Sequence, residues 1–317
     1  MRVVLVGNPK SGRGRAARVL EETAHALRTA GHECTVLTDL CATDGPCSAW
    51  AGGGDAVVVA GGDGTIHSLL PALRNESVGI HHAPLGTENL FAREFGMRAD
   101  GAFVARAAKK GVFDRVDLGL IRHAEAEIPF AIMCSIGPDA GVIRRLHAVR
   151  NGPISHASYA MPVMRETFRP ALPRLTIEAD GRTLCDAERG LLVVANMRQY
   201  ALRADPAWRA DPRDGLLDLV FMPCASALGA GVRLLEARLR RHRRDVLHVR
   251  ASTVRVRTLD DAPVQVDGEC LQLAPGGLDI SFGVAPLALR VLMPDQGATV
   301  VAGAAASGGV AALRATV

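Results

Sequence analysis

Asp63 stands in Gly61-Gly62-Asp63-Gly64-Thr65, a turn between the apolar run Val57–Ala60 and a helix-like pattern. Turns of this kind face anions: glycines admit positive φ and let a phosphate approach the backbone, and the helix start offers N–H groups. A carboxylate there repels a phosphate unless a cation neutralises it, and magnesium is the usual solution. The plainer reading makes Asp63 an N-cap and lets the Thr65 hydroxyl cap the helix. Capping alone needs one such residue, not three glycines around it. PLGTENLFAREFG (Pro84–Gly96) repeats the strand–glycine–threonine–helix order one strand along, and Thr87 and Asn89 offer hydrogen bonds to a nucleotide. GNPKSGRGRA (Gly7–Ala16), with Asn8 and Ser11, lies at a third strand–helix junction. It is no Walker A loop, because Arg13 and Gly14 follow Gly12 where that loop needs Lys and Ser or Thr. Gly12, Gly14 and Ala17 fit a dinucleotide fingerprint with Asp39 ending the next strand, but they come late after a strand that stops near Val6. A glycine turn without a ligand is the third reading.

Far downstream, VQVDGEC (Val264–Cys270) sets Asp267 and Glu269 on either side of a glycine. Asp-Gly is a strong hairpin signal, so a plain turn competes with a carboxylate that accepts a proton from a hydroxyl. EARLRRHRRD carries Arg238, Arg240, Arg241, Arg243 and Arg244. A solvated helix face is the default there; attraction to anionic lipid headgroups is the sharper alternative.

The elements that must position these residues alternate in the first 120 positions. Arg2–Val6 is an apolar run; Arg15–Thr29 has helical spacing; Cys34–Thr38, Ala56–Ala60 and Val78–Pro84 read as further strands, each of the last two followed by a helix. Alternation of this kind predicts a doubly wound parallel sheet with ligands at the carboxyl ends of its strands. From residue 121 to 285 the rhythm changes to short β-like runs separated by turns, which predicts a β-sandwich. Two helices interrupt it, near Ala140–Arg150 and Ala225–Arg241. Residues 286–300, beginning in APLALRVLMP, are expected to return to the first domain, and 301–317 read as a disordered tail.

The chain of 317 residues has room for two domains, and 48% hydrophobic with 22% charged residues places it among soluble globular proteins. Aromatics at 4% argue against a single-strand nucleic-acid binder, so no nucleic-acid partner is expected. A net charge of +4 suits an anionic surface or polyanionic substrate without selecting either. Seven cysteines with no CxxC pair argue against a disulfide scaffold or zinc site and fit a reducing cytosol. No stretch approaches the roughly 20 apolar residues needed to span a bilayer, so any membrane contact is expected to be peripheral.

NPKSG, GGDGT, PLGTEN and DGE, in this order, resemble the diacylglycerol kinase catalytic-domain family, which includes bacterial lipid kinases and sphingosine kinases and is distantly related to NAD kinases. The resemblance runs from residue 1 to about 295. It implies an α/β nucleotide-binding domain, a β-sandwich and an active site in the cleft between them. It also implies ATP-dependent transfer of the γ-phosphoryl group to the hydroxyl of diacylglycerol or a related lipid, presented at a membrane surface. By position, Asn8, Ser11, Gly61, Gly62, Asp63, Gly64, Thr65, Thr87 and Asn89 would bind ATP. Asp63 and Asp117 would join a water-mediated Mg2+ network, and Asp214 matches a structural magnesium position, with a plain Asp-Gly turn as its alternative. Asp267 would be the general base and Glu269 its neighbour. Two departures stand out: Leu90 where many members have Asp, and Ala201-Leu202 where members commonly have Gly-Gly. Phosphorylation of a soluble acceptor, as in NAD kinases, and a nucleotide-binding regulator without catalysis remain as alternatives. A cytoplasmic protein, peripheral at the inner membrane face, is expected; a homodimer is left open.

Overall fold

The computed structural model describes residues 1–7, 14–37, 53–148, 172–241, 243–273 and 276–295. Asn8, Ser11, Gly12, Asp39 and the tail 301–317 lie outside them.

Four short runs rich in Val and Ala form the first parallel strands: β1 (Arg2–Gly7), β2 (Glu33–Leu37), β3 (Ala56–Gly61) and β4 (Gly79–Pro84). They lie in the order β2-β1-β3-β4, all parallel. All six positions of β3 are buried, which is why it reads as a continuous apolar run and not an alternating one: both faces are covered. Val3 and Leu5 pack on one face with α1 (Arg15–Thr29) and a further helix; Val4 and Val6 pack on the other with α2 (Asp63–Leu73) and α3 (Leu90–Phe95). The further helix is α4 (Gly101–Lys110), which the sequence reading did not name; the Asp100 side chain caps it by accepting from the Phe103 N–H at 2.7 Å. The strand order reverses between β1 and β3, and the carboxyl ends of β1, β3 and β4 lie along one edge of the sheet, with Gly7 beside Ala60 and Gly61 beside Pro84.

The second part is built on β5 (Phe113–His123), β6 (Ala126–Phe130), β7 (Met133–Ile136), α5 (Pro138–Ala148), β8 (Arg174–Ala179), β9 (Arg182–Ala195), β10 (Leu217–Pro223), α6 (Ala227–Arg238), β11 (Leu247–Ala251), β12 (Val254–Thr258), β13 (Val264–Val266), β14 (Glu269–Leu271) and β15 (Leu278–Leu292). The first half of β9 pairs with β8, and its second half with β7 and β10, so one strand passes from one layer of the sandwich to the other. Alternate residues of that second half serve two cores. Leu192 and Val194 face the sandwich interior with Phe130, Phe221 and Phe282; Leu191, Val193 and Ala195 face the core shared with α2 and α3.

The sequence reading divided β15 into two runs. It is one strand with an irregularity between Ala285 and Leu289. Before that point it pairs antiparallel with β12 and β5; after it, the pairing with β5 resumes and Val291 also pairs parallel with Ile80 of β4. The chain's last described strand thereby completes the first sheet. Val254, Val256 and Thr258 of β12 are buried and Arg255 and Arg257 exposed, as the alternation in VRVRT requires.

Candidate active site

β3 ends at Gly61 and α2 begins at Asp63, so the N-cap is Gly62, in extended backbone and without a side-chain cap. Neither Asp63 nor Thr65 caps α2. Thr65 instead lies against Gly61, where a Cβ would stand 2.6 Å from the Thr65 hydroxyl. Asp63, the first helical residue, reaches to the next turn: its Oδ1 accepts the Phe91 N–H at 3.1 Å, and the Leu90 amide supports the same carboxylate. Leu90 lacks the carboxylate that the family resemblance places there, and its main chain serves Asp63 instead. Burial raises the Asp63 carboxyl to about 6; the two amides oppose this, and the charges of Asp267 and Glu88 add to it.

The turn after β4 touches the first one. A Cβ on Gly86 would lie 2.8 Å from the Gly62 Cα, so the two loops approach as only glycines permit. Asn89, at φ 51, closes its own loop: Oδ1 accepts the Gly86 N–H at 2.7 Å and Nδ2 donates to the Gly86 carbonyl at 2.9 Å. The Asn89 side chain is thus a loop clamp here. Gly61, Gly62 and Gly64 with the first turn of α2 form a glycine cradle, the kind of turn that receives phosphates at helix N-termini. Thr87 borders it.

Asp267 and Gly268 form the two-residue turn of the β13–β14 hairpin, both at positive φ, with Val266 paired to Glu269. The hairpin reading of Asp-Gly therefore holds, and the carboxylate points inward. Asp267 is buried; its Oδ1 accepts the N–H groups of Ile132 (2.8 Å) and Met133 (3.0 Å), and its Oδ2 that of Ala131 (2.8 Å). The fourth partner is His67, whose Nδ1 lies 3.2 Å from Oδ2. Both oxygens thus have partners in the carboxylate that the family resemblance makes the general base. Glu269 closes the cluster: a Cβ on Gly64 would meet its Oε1 at 2.2 Å. The first turn and the distant DGE hairpin are in contact.

His67 is the residue the sequence reading passed over. It stands four positions after Asp63, one helical turn along α2, a spacing that could have marked it. With Nδ1 turned to Asp267, Nε2 has no partner among the described residues. Burial lowers the His67 pKa, but the hydrogen bond to Asp267 and the charges of Asp267 and Glu269 outweigh it, and the net shift is upward from 6.5. His82 was also missed: buried on β4, it places Nε2 2.9 Å from the Gly61 carbonyl and so fixes where the first turn leaves the sheet. Burial lowers its pKa to about 4, so it serves as a neutral strut.

The carboxylates that the family resemblance assigns to magnesium each have hydrogen-bond partners of their own. Asp117 is buried, with Oδ1 accepting the Leu287 N–H (2.7 Å) and Oδ2 the Gly215 N–H (2.8 Å); it pins the irregularity of β15 to the turn before β10. Asp214 closes that turn through the Leu216 N–H (3.0 Å) and pairs with Arg250 at 3.0 Å. Among the described residues no three His, Cys, Asp or Glu side chains gather as an ion site.

A parallel nucleotide-type sheet joined to a sandwich, with glycine turns meeting an acidic hairpin between them, defines a kinase of the lipid and NAD kinase-like class. Residues 2–121 match the diacylglycerol kinase catalytic domain, and 132–293 match the YegS C-terminal NAD kinase beta sandwich-like domain. The chain belongs to the diacylglycerol kinase catalytic-domain family and is a phosphotransferase. It is 29% identical over 314 residues to a protein of Mycobacterium tuberculosis named diacylglycerol kinase, covering 93% of this chain and 96% of that one. A diacylglycerol kinase of Bacillus subtilis is 25% identical over 300 residues, covering 87% and 92%. The fold is that of a diacylglycerol kinase from Bacillus anthracis (TM-score 0.64, 17% identity, 92% and 96% covered) and, more distantly, of yeast NADH kinase complexed with NADH (TM-score 0.51, 14% identity, 92% and 82% covered). No helix among the described residues is long and apolar enough to cross a membrane.

Proposed function

We propose that the chain transfers the γ-phosphoryl group of ATP to the hydroxyl of diacylglycerol or a closely related lipid. The names of the Mycobacterium tuberculosis and Bacillus subtilis relatives support the lipid, and the glycine cradle supports the nucleotide. ATP, when bound, supplies the phosphoryl group. The chain's own part is positioning and proton removal. Gly61, Gly62, Gly64 and the first turn of α2 hold the phosphates through backbone N–H groups, with Thr65 and Thr87 beside them. His67 Nε2 takes the proton of the acceptor hydroxyl. Asp267, anchored by three backbone amides, holds the ring in the tautomer that keeps Nδ1 protonated and Nε2 free. Asp267 is then a positioning residue, and no step is assigned to a protein-held magnesium.

The contact of His67 Nδ1 with Asp267 Oδ2 at 3.2 Å carries this reading, because it joins the nucleotide turn to the hairpin 200 residues downstream. The test is transfer of labelled phosphate from ATP to diacylglycerol, long-chain bases or NAD. His67→Gln should lower kcat about 100-fold or more with KM for ATP little changed. The rate of the unsubstituted chain should rise with pH through a limb above 6.5, and Asp267→Asn should move that limb down. Full activity of His67→Gln would end the base assignment; transfer to NAD and not to lipid would end the acceptor assignment.

A further inference from the structure

Helix α6 carries an apolar stripe that stands exposed among the described residues. Leu228, Val232, Leu235 and Leu239 follow at spacings of four, three and four, one face of a helix, and are 71, 45, 55 and 57% exposed. The opposite face is seated, through Ala230 and Ala237. Where the stripe ends the arginines begin: Arg238, Arg240, Arg241, Arg243 and Arg244, all exposed. A fifth apolar residue joins from another part of the chain. Leu202, 64% exposed, is held beside α6 by the Arg238 guanidinium, which donates to the Leu202 carbonyl. The Leu202 N–H in turn donates to Glu88 Oε2 at 3.3 Å, and Glu88 belongs to the second glycine turn of the candidate active site. The stripe is therefore tied by two hydrogen bonds to the loop beside the cradle.

Leu202 makes this arrangement at a cost. It sits at φ 54, ψ 19, left-handed backbone that leucine avoids, and Arg203 follows at φ 56. The two hydrogen bonds hold its main chain, and its side chain is left exposed.

We propose that the stripe of α6, with Leu202 and the arginines of 238–244, docks the protein on an anionic lipid bilayer. Leucines at helical spacing with arginines gathered at one end are what an interfacial helix presents: side chains for the acyl boundary and cations for the headgroups. A second copy of this chain is a poorer occupant. Across a two-fold interface the same surface meets itself, and five arginines would be brought towards five others. The proposal rests on the lipid-acceptor reading only for why a kinase should need a bilayer; the surface itself is read from exposure and charge.

The test is sedimentation of the full chain with phosphatidylcholine vesicles, with and without phosphatidylglycerol, in low and high salt and without ATP. Binding should require the anionic lipid and weaken in high salt. The Leu235→Glu/Leu239→Glu pair, and separately Arg241→Gln/Arg243→Gln/Arg244→Gln, should each weaken it about tenfold or more. Both variants should keep transfer to a water-soluble short-chain diacylglycerol, which shows that they fold. Vesicle binding equal to that of the unsubstituted chain in both variants would overturn the proposal. So would a stripe variant that changes the mass in light scattering from dimer to monomer while leaving vesicle binding intact. Failure of the unsubstituted chain to phosphorylate the short-chain lipid would instead count against the acceptor reading.

Discussion

Asp63 carries a conflict that can be measured. Its carboxyl titrates near 6 in the folded chain against 3.8 without the fold, chiefly because of burial. Between those values the unfolded chain has released the proton and the folded chain keeps it. Stability from this group is therefore full below about pH 4, falls as pH rises, and is lost above about 6, by roughly 2–3 kcal/mol in all. Asp63→Asn removes that share of the slope. Urea unfolding at pH 4 and pH 7.5 should show the unsubstituted chain losing more stability over the interval than the variant, whatever their offset at pH 4; parallel losses would reject the shift. At this scale the sequence marked residues that the fold brings into contact, and it left their hydrogen-bond partners unread. Glycines and carboxylates around residues 61–65 and 267–269 were legible because their types are unusual between apolar runs. That Leu90 would support Asp63 through its backbone was not, since an N–H belongs to every residue type except proline. His67 was hidden for a related reason: a histidine in an amphipathic helix gains meaning only when Asp267, 200 residues away, is found against it.

Elements were legible in proportion to their periodicity. The limits of α1 at Arg15–Thr29 follow the apolar spacing of Ala16, Leu20, Ala24 and Leu27, all buried against the sheet. β5 and α4 escaped notice, and β15 was divided, because its bend between Ala285 and Leu289 is held by Asp117 from another strand and leaves no local signature. The turn at 201–203 is the informative failure. Ala201-Leu202 in place of Gly-Gly was visible, but its consequence, a leucine forced into left-handed backbone and out to solvent, was not. Leu202→Gly should relieve up to about 1 kcal/mol of strain after the entropic cost of glycine, raising Tm by up to about 1.5 °C. Vesicle binding should fall in the same variant. Leu202→Ala keeps the strained backbone and removes the apolar side chain, so it should lose binding without gaining stability. A Leu202→Gly variant no more stable than the unsubstituted chain would mean that the turn is not strained.

At the scale of the molecule the two parts share their support. One core takes Val4, Val57 and Val59 from the first sheet, Leu69 and Phe91 from its helices, and Val116, Leu191, Val193 and Val220 from the strands beyond. β4 is closed on its outer side by Val291 of the last strand, so the first sheet is not complete until the chain has nearly ended. The candidate site inherits this: His67 comes from the first part, Asp267 from the second, and Ala131, Ile132 and Met133 fix the carboxylate from between them. Residues 1–121 made alone would lack β15, leaving an open edge at β4, and would expose the faces of α2 and α3 that meet β9 and β10. Such a fragment should be an aggregating or loosely packed species, with helical circular dichroism, strong dye binding and no sharp thermal transition. The full chain should unfold in one transition seen alike by circular dichroism and by Trp fluorescence. A soluble 1–121 fragment with a cooperative transition of its own would show that the first part folds without the second. The cleft would then be an interface between independent domains, and the contact of His67 with Asp267 would have to be made by docking and not by folding.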